Sequence, residues 1–307
     1  MLNEKSYKGH LTMLLVNVAF GLNNPMSKRV LAVLSPYTLY FLRVLGATVL
    51  FWAVSACMKE ERVSKRDLLM LFLAGMAAVV GNQFSFVMGL SLTTPINAAI
   101  IITLGPIVTM ILAALYQKEP ITKKKTAGVF IGASGALLLI VTGMHVGGAG
   151  GSLSGNLLCL LSVLSYALYL TAFKNLILKH KAVTLMKWMF LFAAIVSLPF
   201  CLNDVEATAW QTINRYDYAR IAYIVIIASF ATYLCIPFGQ KLLRPTTLSM
   251  YNYVQPIVTT TVAIVVGIDA FGWNTALAAV LVFAGVYVVT QSKSRSQIEA
   301  AKKLQER

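Results

Sequence analysis

The feature that most limits what this chain can fold into is a succession of apolar runs, each about as long as a membrane helix. A spanning helix needs about 20 mostly apolar residues. Ten such runs can be marked, at 9–30, 37–58, 67–90, 95–116, 124–143, 153–178, 184–203, 218–240, 246–268 and 272–292. The links between them are short and hold the charge, Pro and Gly, as in Lys59-Glu60-Glu61-Arg62, Lys123-Lys124-Lys125 and the glycine-rich stretch 147–151. Only 12% of residues are charged and mean hydropathy is +0.74, so lipid is the expected solvent for most of the surface. The net charge of +15 would suit a nucleic-acid partner if it formed a basic face. It is instead dispersed through the links, and no nucleic acid is expected. The sequence thus predicts an all-α polytopic membrane protein of ten transmembrane helices.

Orientation follows from where the cations fall, because Lys and Arg accumulate in cytoplasmic links. With the N-terminus in the cytoplasm, the outer links hold only Lys28, Arg29, Arg215 and Arg220. Arg43 lies inside a run, and the other Lys and Arg residues all fall on the inner side. A wrong helix count would scramble this segregation, so both termini are expected to be cytoplasmic. The first run is followed directly by others and reads as a span, not a cleaved signal. The expected location is the plasma membrane, a bacterial inner membrane. Cys57, Cys159, Cys201 and Cys235 lie within apolar runs without CxxC spacing. They read as small apolar residues, and no metal or cofactor is expected.

The chain also matches itself at a shift of 150 residues. Pro106-Ile107-Val108-Thr109 falls on Pro256-Ile257-Val258-Thr259, Gly89 on Gly239, Leu92 on Leu242, Pro95 on Pro245, Glu119 on Asp269 and Gly135 on Gly285. Residues 1–150 and 151–292 are therefore read as two repeats, with 293–307 a basic cytoplasmic tail against anionic lipid. Five spans per repeat is an odd number, so the second copy must be inverted relative to the first. That arrangement suits alternating access.

With these features in place the chain resembles the EamA family of the drug/metabolite transporter superfamily. The resemblance rests on Asn17-Val-Ala-Phe-Gly21-Leu-Asn-Asn in helix 1, on Arg43 after Ser35-Pro36, and on the stretch from Gly89 to Pro95 followed by Pro106. Gly128-Val-Phe-Ile-Gly132-Ala-Ser-Gly135 in helix 5 completes it, and the plan recurs in the second half. The resemblance implies ten helices in two inverted five-helix repeats. It also implies movement of small metabolites, often amino acids and often outward.

Ionisable groups at bilayer depth are costly and usually functional. No Asp or Glu lies well inside a run; Glu119 and Asp269 sit at run ends, and His10, His145 and His180 lie in ends or links. Proton exchange through a buried carboxylate is therefore not expected. Arg43 is the exception, seven residues into helix 2. Its guanidinium either binds a substrate carboxylate in a two-point fork, snorkels to the outer interface, or bonds carbonyls at a neighbouring helix end. A shift of 146 residues sets Met189 opposite it, so the second copy lacks the charge.

Neutral polar residues recur through the runs, including Asn23, Asn97, Ser85, Ser162, Tyr166 and Tyr253. Singly they suit interhelical hydrogen bonds; together they suit a polar cavity. The candidate cavity residues are Asn17, Asn24, Arg43, Asn82, Gln83, Thr103, Ser165, Tyr169, Tyr233, Tyr251, Asn252 and Gln255. Pro106 and Pro256 are candidate helix breaks or hinges. Gly128 and Gly132 form a GxxxG for close helix packing, within the bundle or between protomers, which leaves monomer and homodimer open.

The expected function is secondary transport of small metabolites such as amino acids or organic acids, as an exporter whose partners are its solute and the bilayer. A drug or quaternary-amine exporter would cup its cation with tyrosine rings. A scramblase, sensor or channel is the non-transporting alternative. An intramembrane enzyme would need a nucleophile with a base, or a metal with its ligands, and the runs supply neither.

Overall fold

The computed structural model describes residues 4–93, 98, 101–143, 152–265 and 273–292. Pro95, Asn97, His145, the 147–151 link, Asp269 and the tail from 293 lie outside them. The described residues are helical, with no strand among them. The first half contains α1 (Glu4–Val30), α2 (Pro36–Ala56), α3 (Lys65–Leu92), α4 (Gly105–Gln117) and α5 (Lys123–Gly143). The second contains α6 (Leu153–Ala172), α7 (Ala182–Ala207), α8 (Arg215–Leu242), α9 (Val254–Val265) and α10 (Trp273–Thr290). Five of these, α2, α3, α6, α7 and α8, are long and apolar enough to cross a membrane; α4 and Ala276–Thr290 are shorter apolar helices.

Local structure recurs at the same 150-residue shift at one pair of helices. α3 and α8 each run 28 residues, from positions 150 apart. Each starts at a polar cap. The Ser64 Oγ accepts from the Asp67 N–H and donates to the Asp67 carboxylate; Asn214 does the same for Asp217 through its amide oxygen and nitrogen. Such caps satisfy backbone donors that the first helical turn leaves free. Each helix then widens into a π-helical stretch, Met76–Phe84 in α3 and Ile226–Ala231 in α8. π-Turns interrupt the regular hydrogen-bond ladder and often mark functional positions.

The runs at 95–116 and 246–268 are interrupted rather than continuous. A turn at Thr103-Leu104 precedes α4, and Pro106 lies in the first turn of the new helix. There the missing N–H of proline costs nothing. In the second copy a short helix, Pro245–Met250, passes through the 3-10 turn Tyr251–Tyr253 into α9, with Pro256 in its opening turn.

The principal helix contacts cross between halves. α2 packs on α7 and α5 on α10, while α1 lies against α8 and α9 and α6 against α3 and α4. The two halves of the chain are thus interlocked through these helix pairs. The α5–α10 seam uses the glycines. A Cβ on Gly285 would come 2.5 Å from the Gly132 backbone nitrogen, and one on Gly128 would come 2.8 Å from the Gly285 carbonyl oxygen. The GxxxG therefore packs within the bundle. Large apolar side chains such as Leu15, Leu115, Leu153 and Val280 stand exposed on the outside of the bundle, which in water would be costly and in lipid is not.

Charged links tie helix ends together. Lys179 Nζ lies 2.6 Å from the Asp67 carboxylate, His180 Nδ1 lies 3.0 Å from Glu61, and Lys241 Nζ donates to the His180 carbonyl at 2.6 Å. Burial pushes the Glu61 carboxyl up. Donation from the Thr184 side chain, the Lys181 backbone N–H and His180 outweighs this and holds it below the usual carboxylate range. A carboxyl depressed in the folded state adds stability above its ordinary value of 4.5, and loses it as pH falls through the folded value. Wild type should lose thermal stability on acidification below that value, and Glu61→Gln should show a shallower acid limb. Identical acid limbs for the two proteins would remove Glu61 from this role.

Candidate functional site

A cavity of about 100 Å³, partly open to the outside, lies among α1, α2, α3, α4, α6, α8 and the broken segment leading into α9. The helices reach it through the irregular stretches just described. Asn82 and Gln83 belong to the π-stretch of α3, and Tyr233 follows that of α8. Gly105 sits at the α4 break, while Asn252 and Gln255 flank the entry to α9. A straight helix would carry these side chains round with a uniform pitch; the breaks re-aim them towards one space.

Arg43 lines the cavity and is 3% exposed. Its Nε donates to Ser229 Oγ at 3.1 Å, and that hydroxyl in turn donates to the Ile224 carbonyl at 2.9 Å, within the π-turn of α8. The two terminal guanidinium nitrogens make no hydrogen bond to a described residue, and no described carboxylate pairs with Arg43. The side chain is held inside the bundle by one bond and left with most of its donors unused. A buried cation without a counter-ion is costly, several kcal/mol even after relaxation.

Amides surround it. Asn82 Nδ2 donates to Ser162 Oγ at 2.9 Å and to the Ser162 carbonyl at 3.1 Å. The Tyr233 hydroxyl lies 3.3 Å from both the Asn82 amide oxygen and the Ala78 carbonyl. These bonds tie α3, α6 and α8 together at the cavity wall. Gln83, also 3% exposed, has neither amide atom in a well-formed hydrogen bond, although its side chain lies beside Tyr233. Gln255 Nε2 donates to the Asn17 amide oxygen at 2.9 Å.

Of the residues singled out from sequence, Asn24, Arg43, Asn82, Gln83, Tyr233, Asn252 and Gln255 line this cavity. Asn17 stands behind it and positions Gln255. Tyr169 is fully buried and donates to Gln240 at 3.1 Å, and Tyr251 is hydrogen-bonded to His10 at 2.8 Å. Ser165 packs against Gly81, and Thr103 is buried outside the lining. The lining also takes Asn23, Thr109, Ser162 and Tyr166, with Phe20, Phe86, Ile102 and Val163 as its apolar part. Thr109 follows Pro106 in the repeated Pro-Ile-Val-Thr, which was the signal available for it. Ser229 carried no sequence signal.

The model of the EamA-like transporter family matches residues 7–141 and 153–291. An "uncharacterized transporter" of Archaeoglobus fulgidus is 25% identical over 288 residues, 92% of this chain and 97% of that protein. The "uncharacterized transporter YyaM" of Bacillus subtilis is 26% identical, covering 74% of each chain. A WAT1-related protein of Arabidopsis thaliana is 22% identical over 90% of this chain and 83% of its own. A solved crystal structure superposes with a TM-score of 0.76 at 18% identity, covering 94% of this chain and 97% of that one; it shares the fold.

Proposed function

Since the chain belongs to the EamA-like transporter family and is an integral membrane protein, we propose that it is a secondary transporter exporting small carboxylated metabolites, amino acids or organic acids, by alternating access. In this reading the ten helices span a bacterial inner membrane as two inverted halves with both ends in the cytoplasm. The observation that carries it is Arg43: a buried guanidinium with no carboxylate partner among the described residues, on the wall of the cavity. A carboxylate in that cavity would accept the donors the protein leaves unused and neutralise the charge. A quaternary amine would find the Tyr166 and Tyr233 rings but no carboxylate among the described lining residues, so the drug-exporter reading is less well supported.

Alternating access needs parts that bend. The breaks before α4 and within the segment leading to α9 occupy repeat-equivalent positions and both border the cavity. In discontinuous transporter helices such breaks join the binding site to the moving parts. Away from the cavity, towards the ends carrying Asp67, His180 and Lys241, closure rests on polar cross-helix bonds such as Tyr169 to Gln240 and Lys174 Nζ to Gln117 at 3.0 Å. Hydrogen bonds of this kind are weak enough to exchange during a cycle. Pro106→Ala and Pro256→Ala are expected to restore helical continuity. Turnover should slow several-fold while solute affinity changes little; equal losses in both would assign the prolines to contact rather than motion.

The defining experiment is solute flux in proteoliposomes, with labelled amino acids, organic acids and quaternary amines, with and without a pH gradient. Saturable flux of carboxylated solutes is the expected result. A folded, inserted protein that moves no member of the panel would turn the assignment to a scramblase or sensor.

A further inference from the structure

The charge inventory of the cavity is narrower than transport of carboxylated metabolites in general requires. It contains one fixed cation, Arg43, and no acidic residue among its described lining residues. Between Asp67 and Glu119, between Glu119 and Asp204, and between Asp217 and Asp269 there is no Asp or Glu at all. We propose that the cavity selects a monocarboxylate with an apolar, ring-sized body and discriminates against the corresponding amino acid, amine and dicarboxylate. This rests on reading the cavity as the transport site.

Charge neutrality in a low-dielectric space sets the preference. A monocarboxylate beside Arg43 gives an uncharged complex. An amino acid is already neutral overall, so its complex keeps the positive charge of Arg43. Its ammonium would lie beside a like charge with only neutral acceptors in reach. An amine adds a second positive charge, and a dicarboxylate leaves one negative charge unmatched. Each unmatched charge carries the desolvation cost that pairing removes. Gln83, 3% exposed, also lines the cavity, with its side chain beside Tyr233, and adds a neutral amide to the wall near the charge. The rest of the solute meets Phe20, Phe86 and the faces of Tyr166 and Tyr233, with the Phe20 and Tyr233 rings 6.4 Å apart edge to face. Such a wall favours an apolar ring over a polar chain.

The test is equilibrium binding to the purified full chain in detergent at neutral pH, using 3-phenylpropionate, phenylalanine, 2-phenylethylamine and benzylmalonate. These share one ring and differ in charge. The expected order has 3-phenylpropionate tightest, at least about tenfold over phenylalanine and benzylmalonate, with no measurable binding of the amine. Arg43→Gln should weaken 3-phenylpropionate at least about tenfold in a protein that still elutes as a folded species. If that variant does not fold, Gln83→Leu, expected to weaken it several-fold, takes its place. Phenylalanine binding as tightly as 3-phenylpropionate, measurable amine binding, or no binding of any probe would overturn the proposal. Flux separates this from the broader reading. Saturable phenylalanine transport would uphold a carrier and end the selectivity, whereas 3-phenylpropionate bound but not moved would uphold the site and end the carrier.

Discussion

Replacing Arg43 by glutamine is expected to abolish saturable flux of carboxylated solutes and, at the same time, to leave the ligand-free protein as stable as wild type or more so. The two halves of this expectation come from one observation. Arg43 is 3% exposed, spends one N–H on Ser229 and has no carboxylate partner among the described residues. A buried cation without a counter-ion is carried at a cost of several kcal/mol. Removing the charge relieves it. Truncating one member of a buried, hydrogen-bonded charge pair costs about 2–5 kcal/mol, so solute affinity should fall by roughly 30-fold or more. Arg43→Lys keeps the charge but loses the planar fork, and should retain part of the activity. The readouts are flux and the ligand-free melting temperature. A large fall in melting temperature, with flux per folded molecule unchanged, would make the guanidinium structural.

The second large effect is expected at the α5–α10 seam. Gly285→Leu should prevent recovery of a monodisperse protein, and Gly285→Ala should lower stability by about 1–3 kcal/mol, the usual range for overpacking. What a side chain would meet here is not a flexible neighbour but backbone, the Gly132 nitrogen at 2.5 Å and the Gly128 carbonyl oxygen at 2.7 Å. The helices would have to separate, undoing contact along their length. In lipid no hydrophobic force drives two apolar helices together, so close packing carries most of the association. Thermal melting of the detergent-solubilised variants, followed by size-exclusion, reads the outcome. Wild-type stability in Gly285→Leu would mean that the seam opens freely.

Much of this architecture was legible in the chain because membranes impose coarse rules. Backbone groups in lipid must be satisfied within each segment, so apolar length alone announces helices. The 150-residue register of the Pro-Ile-Val-Thr motif carried through to local structure, down to the caps at Ser64 and Asn214. Arg43 stood out because a charge inside an apolar run has few bland explanations. Other features were out of reach. Nothing in Met76–Phe84 or Ile226–Ala231 announces a π-turn, since the extra residue is accommodated by packing against α6 and α2. The interruption before α4 was half visible. Pro106 marks a break, but whether it kinks a helix or opens a new one depends on the turn at residues 103–104.

The cavity shows where sequence ends and tertiary structure begins. Ser162, Ser165, Tyr166 and Tyr169 read as one polar face, but helical pitch divides them into two adjacent stripes. Ser162 and Tyr166 line the cavity. Tyr169 is turned to Gln240 and Ser165 to Gly81. Likewise Asn23 and Asn24 reach the cavity, while Asn17, nearly two turns earlier, supports Gln255 from behind. The sequence by itself determined that the chain is helical and membrane-embedded, and that one cation lies inside an apolar run with no acid in the same run. Those are properties of composition and spacing, which solvent reads segment by segment. Only the tertiary structure decided which polar stripe of each helix faces the common space. Rotation about a helix axis is fixed by the neighbours it packs against, and here those neighbours come from the other half of the chain.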